Sequence, residues 1–283
     1  PTVTGVQTCA LPISVGRKYN IDYKSKGITP PLSLKMKYAI FNRTVFSLVR
    51  NELGLDHPNI FPTAGAAIAP AVEEFIHTIG INMIVGYGLT ESLATVSCND
   101  ITKPYTIGSV GHLVDGIEIK TIENDEILLR GKTITKGYYN KEALTAVAID
   151  KDGWFHTGDL ATMDADGHIF VRGRSKNMLL GPNGQNIYPE EIEDKLNSMA
   201  MVNESIVIQS DDKLVALVHP DMEEVNNLGF TDEDLENIME QNRKELNMQI
   251  PSFAKVSRIK LHNQEFEKTA KKSIKRYLYQ NAI

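Results

Sequence analysis

Hydrophobic and polar positions along the chain alternate between two textures. Near both ends, apolar residues recur at helical spacing between short β-branched runs, while the middle carries brief alternating runs broken by Asp-Gly turns. In LSLKMKYAIFNRTVFSLVRNELG, Met36, Ile40, Phe41, Val45, Leu48 and Val49 follow the helical period, and Gly54 marks the stop. NIFPTAGAAIAP predicts a short strand running into a loop of small residues. Pro70 suits the first turn of a helix. Val72, Phe75, Ile76 and Ile79 fall at helical positions along that helix, and Gly80 ends it. Ile81 to Val85 is too short and too β-branched for a helix and reads as the next strand. Two small-residue loops, TAGAA and GYGLTE, therefore each follow a strand in a strand–helix–strand unit. In an open α/β sheet, ligands bind outside the carboxyl ends of such strands.

From Gly108 to Arg172 the pattern shortens. GIEIKTIENDEILLRG reads as a hairpin turning at END, and DKDGWFHTGDL and DADGHIFVRG each carry an Asp-Gly turn. The expectation is a small β-subdomain over about residues 105–172, closed as a barrel. Beyond GRSKN the longer period returns. YPEEIEDKLNSMA is a helix with Pro189 near its start and Ile192, Leu196 and Met199 as its stripe. ESIVIQSDDKLVALVHP is a hairpin, and TDEDLENIMEQNRKELNMQI is a helix capped by Thr231 and Asp234. FAKVSRIKLHN is a strand, and the basic KTAKKSIKRYLY follows.

Composition narrows the class. The 283 residues are 42% hydrophobic and 23% charged, which suits two globular domains of ordinary size. A net charge of −6 argues against nucleic acid as the partner, and the Lys268–Arg276 cluster lacks interleaved stacking aromatics. No apolar run approaches the roughly 18 residues of a membrane span. Two cysteines build no disulfide framework, so the expected setting is intracellular and cytoplasmic, with peripheral contact at a membrane surface left open. Residues 3–13, VTGVQTCALPI, match an in-frame translation of a sequencing-library adapter. Residues 1–13 are accordingly set aside as an artefact ahead of a chain truncated at its amino end. Cys9 goes with them, and Cys98 has no evident His partner. His77, His112, His156 and His168 lack metal-ligand spacing and are read as structural. Met178, Met199 and Met201 are read as core filling.

Four stretches line up in one order: TAGAAI (63–68), GYGLTE (86–91), HTGDL (156–160) and GRSKNMLLGPNGQNIYPEEIE (173–193). Over roughly residues 30–283 this series resembles the adenylate-forming (AMP-binding) superfamily. GYGLTES, GRSKNM and IYPEEIE look most like its long-chain fatty acyl-CoA synthetases. The resemblance implies an α/β fold in two parts. The first, 14–172, is the C-terminal portion of the large AMP-binding domain, an α/β layer with the β-subdomain. The second, 173–283, is a small α+β lid domain.

The implied reaction joins a carboxylic acid to the α-phosphorus of ATP, giving an acyl-adenylate that the thiol of coenzyme A then attacks. Medium- to long-chain fatty acids are the expected substrates. Such chemistry is mostly positioning and charge neutralisation. By resemblance, Gly65 and Ala66 line the adenine and acyl pocket. Gly86 and Gly88 let backbone approach the nucleotide. Tyr87 lies against adenine, Thr90 bonds the α-phosphate, and Glu91 holds Mg2+, a hard cation that prefers oxygen ligands. Asp159 accepts both ribose hydroxyls and Arg174 makes the second ribose or phosphate contact. Lys176 is the hinge, and Gly184 lets pantetheine pass.

The chain departs from the family at Leu180, where many members carry a lysine, and at Ser273, in register with the family's catalytic lysine. Lys272, one position off, is the candidate, with Lys271 behind it. A solvated basic stretch is the alternative. The phosphate-binding loop of the family would lie upstream, so the chain alone is expected to be inactive. An aryl- or amino-acid adenylating domain and a non-catalytic adenylate-binding module are the other readings.

Overall fold

The computed structural model describes residues 3–55, 60–100, 102–122, 125–181, 184–211, 213–269 and 273–280. The chain divides into two compact units, residues 1–157 with 161–171, and residues 158–160 with 172–283.

The first unit opens with α1 (Val3–Arg17), a helix that runs through Pro12 and through the segment set aside above, then a π-helical segment at Lys18–Tyr23. α2 (Leu32–Phe41) continues through a π-helical stretch, Asn42–Phe46, into α3 (Ser47–Glu52). The helix forms where the apolar spacing predicts, but the predicted stripe is only half right. Phe41, Val45 and Val49 pack inward beside Tyr38 and the fully buried Phe46. Met36, Ile40 and Leu48 are 60% exposed or more. Apolar residues surround this helix, so their period fixes no phase. The π-helical stretch, with its wider turn, then rotates the later residues relative to the earlier ones.

β1 (Phe61–Thr63) pairs in parallel with β2 (Met83–Tyr87), and α4 (Pro70–Thr78) connects them. β3 (Ser97–Cys98) and β4 (His112–Leu113) extend this sheet antiparallel, in the order β1-β2-β3-β4. Phe46, Ile76, Ile79, Ile81, Met83 and Val85 form the core beneath it. A second sheet has the order β5 (Ile117–Thr121), β6 (Glu126–Gly131), β7 (Phe155–Met163), β8 (Ile169–Arg174). Beyond these pairings, backbone bonds join Ile169 of β8 to Val110 and Gly111, just ahead of β4. The hairpin β5–β6 stands as predicted, although Glu123 and Asn124 of its END turn lie outside the described residues. Sequence periodicity missed α5 (Glu142–Ala148), and for a physical reason: Leu144 and Val147 both face solvent, so it has no buried stripe.

The second unit is simpler. After the short β9 (Leu179–Leu180) and β10 (Asn186–Ile187) come α6 (Pro189–Leu196) and the hairpin β11 (Val202–Ser210)–β12 (Lys213–Pro220). α7 (Met222–Leu228), unpredicted, and α8 (Asp232–Gln249) lead to β13 (Val256–Leu261), parallel to β12. The runs IVI (206–208) and LVALV (214–218) are apolar without a break because both faces of the sheet are covered. Val207, Ala216 and Val218 meet Ile192, Leu196, Leu235 and Leu246, while Ile206, Ile208 and Leu217 meet Phe266. The expected cap closes α8: Thr231 Oγ1 accepts from the Asp234 amide, and Asp234 Oδ2 from the Thr231 amide. Met201 is buried and Met199 partly so, as core filling requires.

One buried polar cluster escaped the pattern altogether. Val72 and Phe75, predicted to face inward on α4, are 47% and 41% exposed. Glu73 and His77 take the inner face beside Ile76 instead. Glu73 Oε2 accepts the Gly108 amide at 2.7 Å, and His77 Nδ1 lies 2.8 Å from the Tyr105 hydroxyl. Burial pushes the Glu73 carboxyl up to about 7 and the His77 imidazole down to about 4.

These shifts oppose each other in pH. The raised carboxyl loses stability as pH rises from about 4.5 through about 7, and the lowered imidazole loses it as pH falls from about 6.5 through about 4. In the parent chain the two slopes cancel between pH 4.5 and 6.5. Glu73→Gln should therefore leave a unit that weakens on acidification, and His77→Gln one that weakens on alkalinisation. Each slope should approach 1.4 kcal/mol per pH unit. Urea unfolding followed by the single tryptophan, Trp154, reads this unit. Parallel slopes in the two variants would refute the assignment.

Candidate functional site

Parallel pairing of β1 with β2, with Thr63 opposite Val85, sends the loops after both strands out of the same edge of the sheet. Gly65, in the first loop, has a φ of 89°, a left-handed conformation that side chains resist, and Ala66 follows it. In β2, Gly86 pairs with Cys98. Tyr87 is half-buried against Val96, Ile117 and Leu129 on one side and Ile127 and Ile169 on the other. Gly88 is needed for space, because a Cβ there would stand 1.5 Å from the Ala94 carbonyl oxygen. Thr90, Glu91 and Ser92 form a single 3-10 turn. Ser92 Oγ accepts the Leu89 amide and donates to the Leu89 carbonyl, both at 3.0 Å. Leu93 and Ala94 then turn back in left-handed conformations. The turn leaves Thr90 exposed and Glu91 half-buried.

Glu91 is gripped twice. Its backbone carbonyl accepts the Thr135 amide at 2.7 Å, and its Oε1 accepts the Tyr138 hydroxyl at 3.0 Å. Neither Ser92 nor Tyr138 was singled out from sequence. Ser92 stands in the quoted motif and carried that much signal, whereas Tyr138 lies 47 residues from Glu91 and carried none.

The other site residues belong to the second unit. Asp159, on β7, is 4% exposed, and its Oδ1 lies 2.8 Å from Arg174 Nε at the end of β8. Arg174 thus pairs with the acid its motif accompanies. Lys176 lies in the 3-10 turn Ser175–Asn177. Asn177 donates to Glu190 Oε1 at 2.7 Å, and Arg172 to Glu191 Oε1 at 2.6 Å, so α6 holds both flanks of that turn. Gly184 lies in the turn between β9 and β10, donating to the Gly181 carbonyl.

Lys271 and Lys272 lie outside the described residues. Around them, Lys268 bridges to Ile274 and Thr269 bonds Ser273. Lys275 pairs with Glu267, and Arg276 forms a two-pronged pair with buried Glu193. Asp164, Asp166 and His168 bring ligand atoms within 4.8 Å of one another. The turn accounts for this proximity, since Asp164 accepts both following amides and the His168 ring. Sequence spacing assigned His168 no metal-ligand partners, whereas the fold sets these two carboxylates beside it. No helix among the described residues is long and apolar enough to cross a membrane.

The model for the AMP-binding enzyme matches residues 29–139, and that for the AMP-binding enzyme C-terminal domain matches residues 176–282. The chain belongs to the AMP-binding enzyme family. Among curated relatives of this AMP-binding chain, the long-chain-fatty-acid–CoA ligase FadD15 of Mycobacterium bovis is 32% identical over 179 residues, 63% of this chain and 29% of that protein. The long-chain-fatty-acid–CoA ligase ACSBG2 of Xenopus laevis is 32% identical over 206 residues, 70% of this chain and 27% of its own length. The chain thus matches less than a third of these relatives. Among solved structures, the anthranilate CoA ligase AuaEII, in complex with anthranoyl-AMP, aligns with a TM-score of 0.66 at 24% identity, covering 79% of this chain and 43% of that one. The adenylation domain of a Mycobacterium chelonae carboxylate reductase aligns with a TM-score of 0.70 at 17% identity, covering 96% and 44%. These two likenesses establish the fold of an adenylate-forming enzyme.

Proposed function

We propose that this chain serves the ATP-dependent ligation of a medium- to long-chain fatty acid to coenzyme A by way of an acyl-adenylate. The observation that carries the reading is the 32% identity to long-chain-fatty-acid–CoA ligases. The Thr90–Glu91 turn at the carboxyl end of β2 supports it.

In this reading the loop at Gly65 and Ala66 and the strand end at Gly86, Tyr87 and Gly88 receive the flat adenine, with Tyr87 against its face. Small residues there keep the backbone close to the ligand. Thr90, exposed on its turn, offers a hydroxyl to the α-phosphate. Glu91 fits a hard cation, because its carboxylate makes no ion pair among the described residues and offers oxygen ligands. Bound Mg2+ would neutralise phosphate charge there. Asp159 accepts the ribose hydroxyls, and Arg174 both orients that carboxylate and reaches the ribose or phosphate. Lys272 supplies the ammonium for adenylation. Lys176 is the hinge, and Gly184 lies on the path of pantetheine. The two parts act as the back of the large domain, 14–172, and the small lid domain, 173–283.

The test is pyrophosphate exchange by a longer protein containing this chain, assayed with fatty, aryl and amino acids. Fatty acids of medium to long chain should exchange fastest. Faster exchange with an aryl or amino acid would replace the substrate class while keeping the adenylating chemistry.

A further inference from the structure

We propose that Tyr138 is a positioning residue that aims the Glu91 carboxylate at the cation of a bound nucleotide, and that α5 holds Tyr138 in place for this task. The inference rests on the reading of Glu91 as the cation ligand.

The geometry is a relay of three links. Thr145, on α5, donates from Oγ1 to the Lys141 carbonyl at 3.0 Å, which fixes its rotamer, and accepts the Tyr138 amide at 2.9 Å. Gly137, just before, packs so closely on Thr145 that a Cβ would stand 2.5 Å from its methyl group. Tyr138 then reaches Glu91 Oε1 with its hydroxyl. The same segment grips the turn from behind, through the Thr135 amide on the Glu91 carbonyl. Thr135 is itself locked, its Oγ1 accepting the Gly137 amide at 3.2 Å.

Charge and rotamer freedom explain why such a support is useful. A glutamate has three rotatable bonds, and a half-buried one on a single 3-10 turn has no helix neighbours to restrict it. A phenol donating to one carboxylate oxygen restricts the rotamer and leaves the other oxygen for the metal. Because the donor is neutral, it preserves the negative charge that a lysine or arginine partner would cancel. Outer partners of this kind typically govern metal affinity by roughly tenfold to a hundredfold.

The experiment uses the 283-residue chain, with Mn2+ as the probe cation, ATP present, and free Mn2+ read by electron paramagnetic resonance. Tyr138→Phe should weaken Mn2+ binding roughly tenfold. Thr145→Val should weaken it in the same direction while leaving both side chains of the Tyr138–Glu91 pair intact. Glu91→Gln should remove the site, and Tyr138→Phe should add nothing further on that background. Parent-like Mn2+ affinity in Tyr138→Phe, with Glu91→Gln still defective, would overturn the positioning role and leave the Glu91 reading standing. Absence of Mn2+ binding in the parent chain would overturn both. Unfolding midpoints of the variants separate either result from loss of the fold.

Discussion

Asp159→Ala should weaken binding of a non-hydrolysable acyl-adenylate analogue at least about a hundredfold. A carboxylate that accepts both ribose hydroxyls makes two charge-assisted bonds, each worth about 1.5–3 kcal/mol. The fold should survive, because the partner left behind, Arg174, is nearly half exposed and can hydrate. At 4% exposure Asp159 is shielded from competing water, and its Oδ1 lies 2.8 Å from Arg174 Nε. The ribose assignment is checked with a 2′,3′-dideoxy analogue. The parent chain should lose most of its affinity on removal of the diol, and Asp159→Ala should lose little more. If the variant discriminates the two analogues as well as the parent does, Asp159 does not hold the ribose.

Arg276→Met should cost the second unit about 3 kcal/mol, the penalty for stranding a buried charge. Glu193 is 6% exposed on α6, and its Oε1 already accepts the Val207 amide at 2.6 Å. The guanidinium binds both carboxylate oxygens, one at 2.7 Å, and lies 3.9 Å from Glu190 as well. Burial drives the Glu193 carboxyl up to about 7 even against that guanidinium, so removal of Arg276 leaves the acid to ionise unaided or to stay protonated. Arg276→Met combined with Glu193→Gln should recover most of the loss, because a neutral amide can keep the Val207 bond. Hydrogen exchange in β11 and β12 reads the second unit directly. If the single and double variants are equally destabilised, the pair contributes through packing rather than charge.

Both predictions depend on contacts that no local pattern announces. Sequence by itself determined the elements whose apolar face has a definite period. The hairpin of β11 and β12, the stripe of α6, the capped α8, and the strand–helix–strand unit of β1, α4 and β2 all form as the spacing predicts, with β2 at Met83–Tyr87, two residues beyond the predicted Ile81 to Val85. It also determined the order of the four motifs, and with that order the family.

The tertiary structure decided the rest. It chose which face of α2 and α4 turns inward, leaving Met36, Ile40, Val72 and Phe75 outside and placing Glu73 and His77 inside. It tied Ile169 of β8 to Val110 and Gly111, formed α5, and set Tyr138 on Glu91 across 47 residues and Arg276 on Glu193 across 83. The reason is physical. A period records only that one side of an element avoids water, since burial is driven by apolar area without direction. A polar side chain is buried only where a partner meets it. That partner arrives from a distant part of the chain, along a path that the fold alone defines.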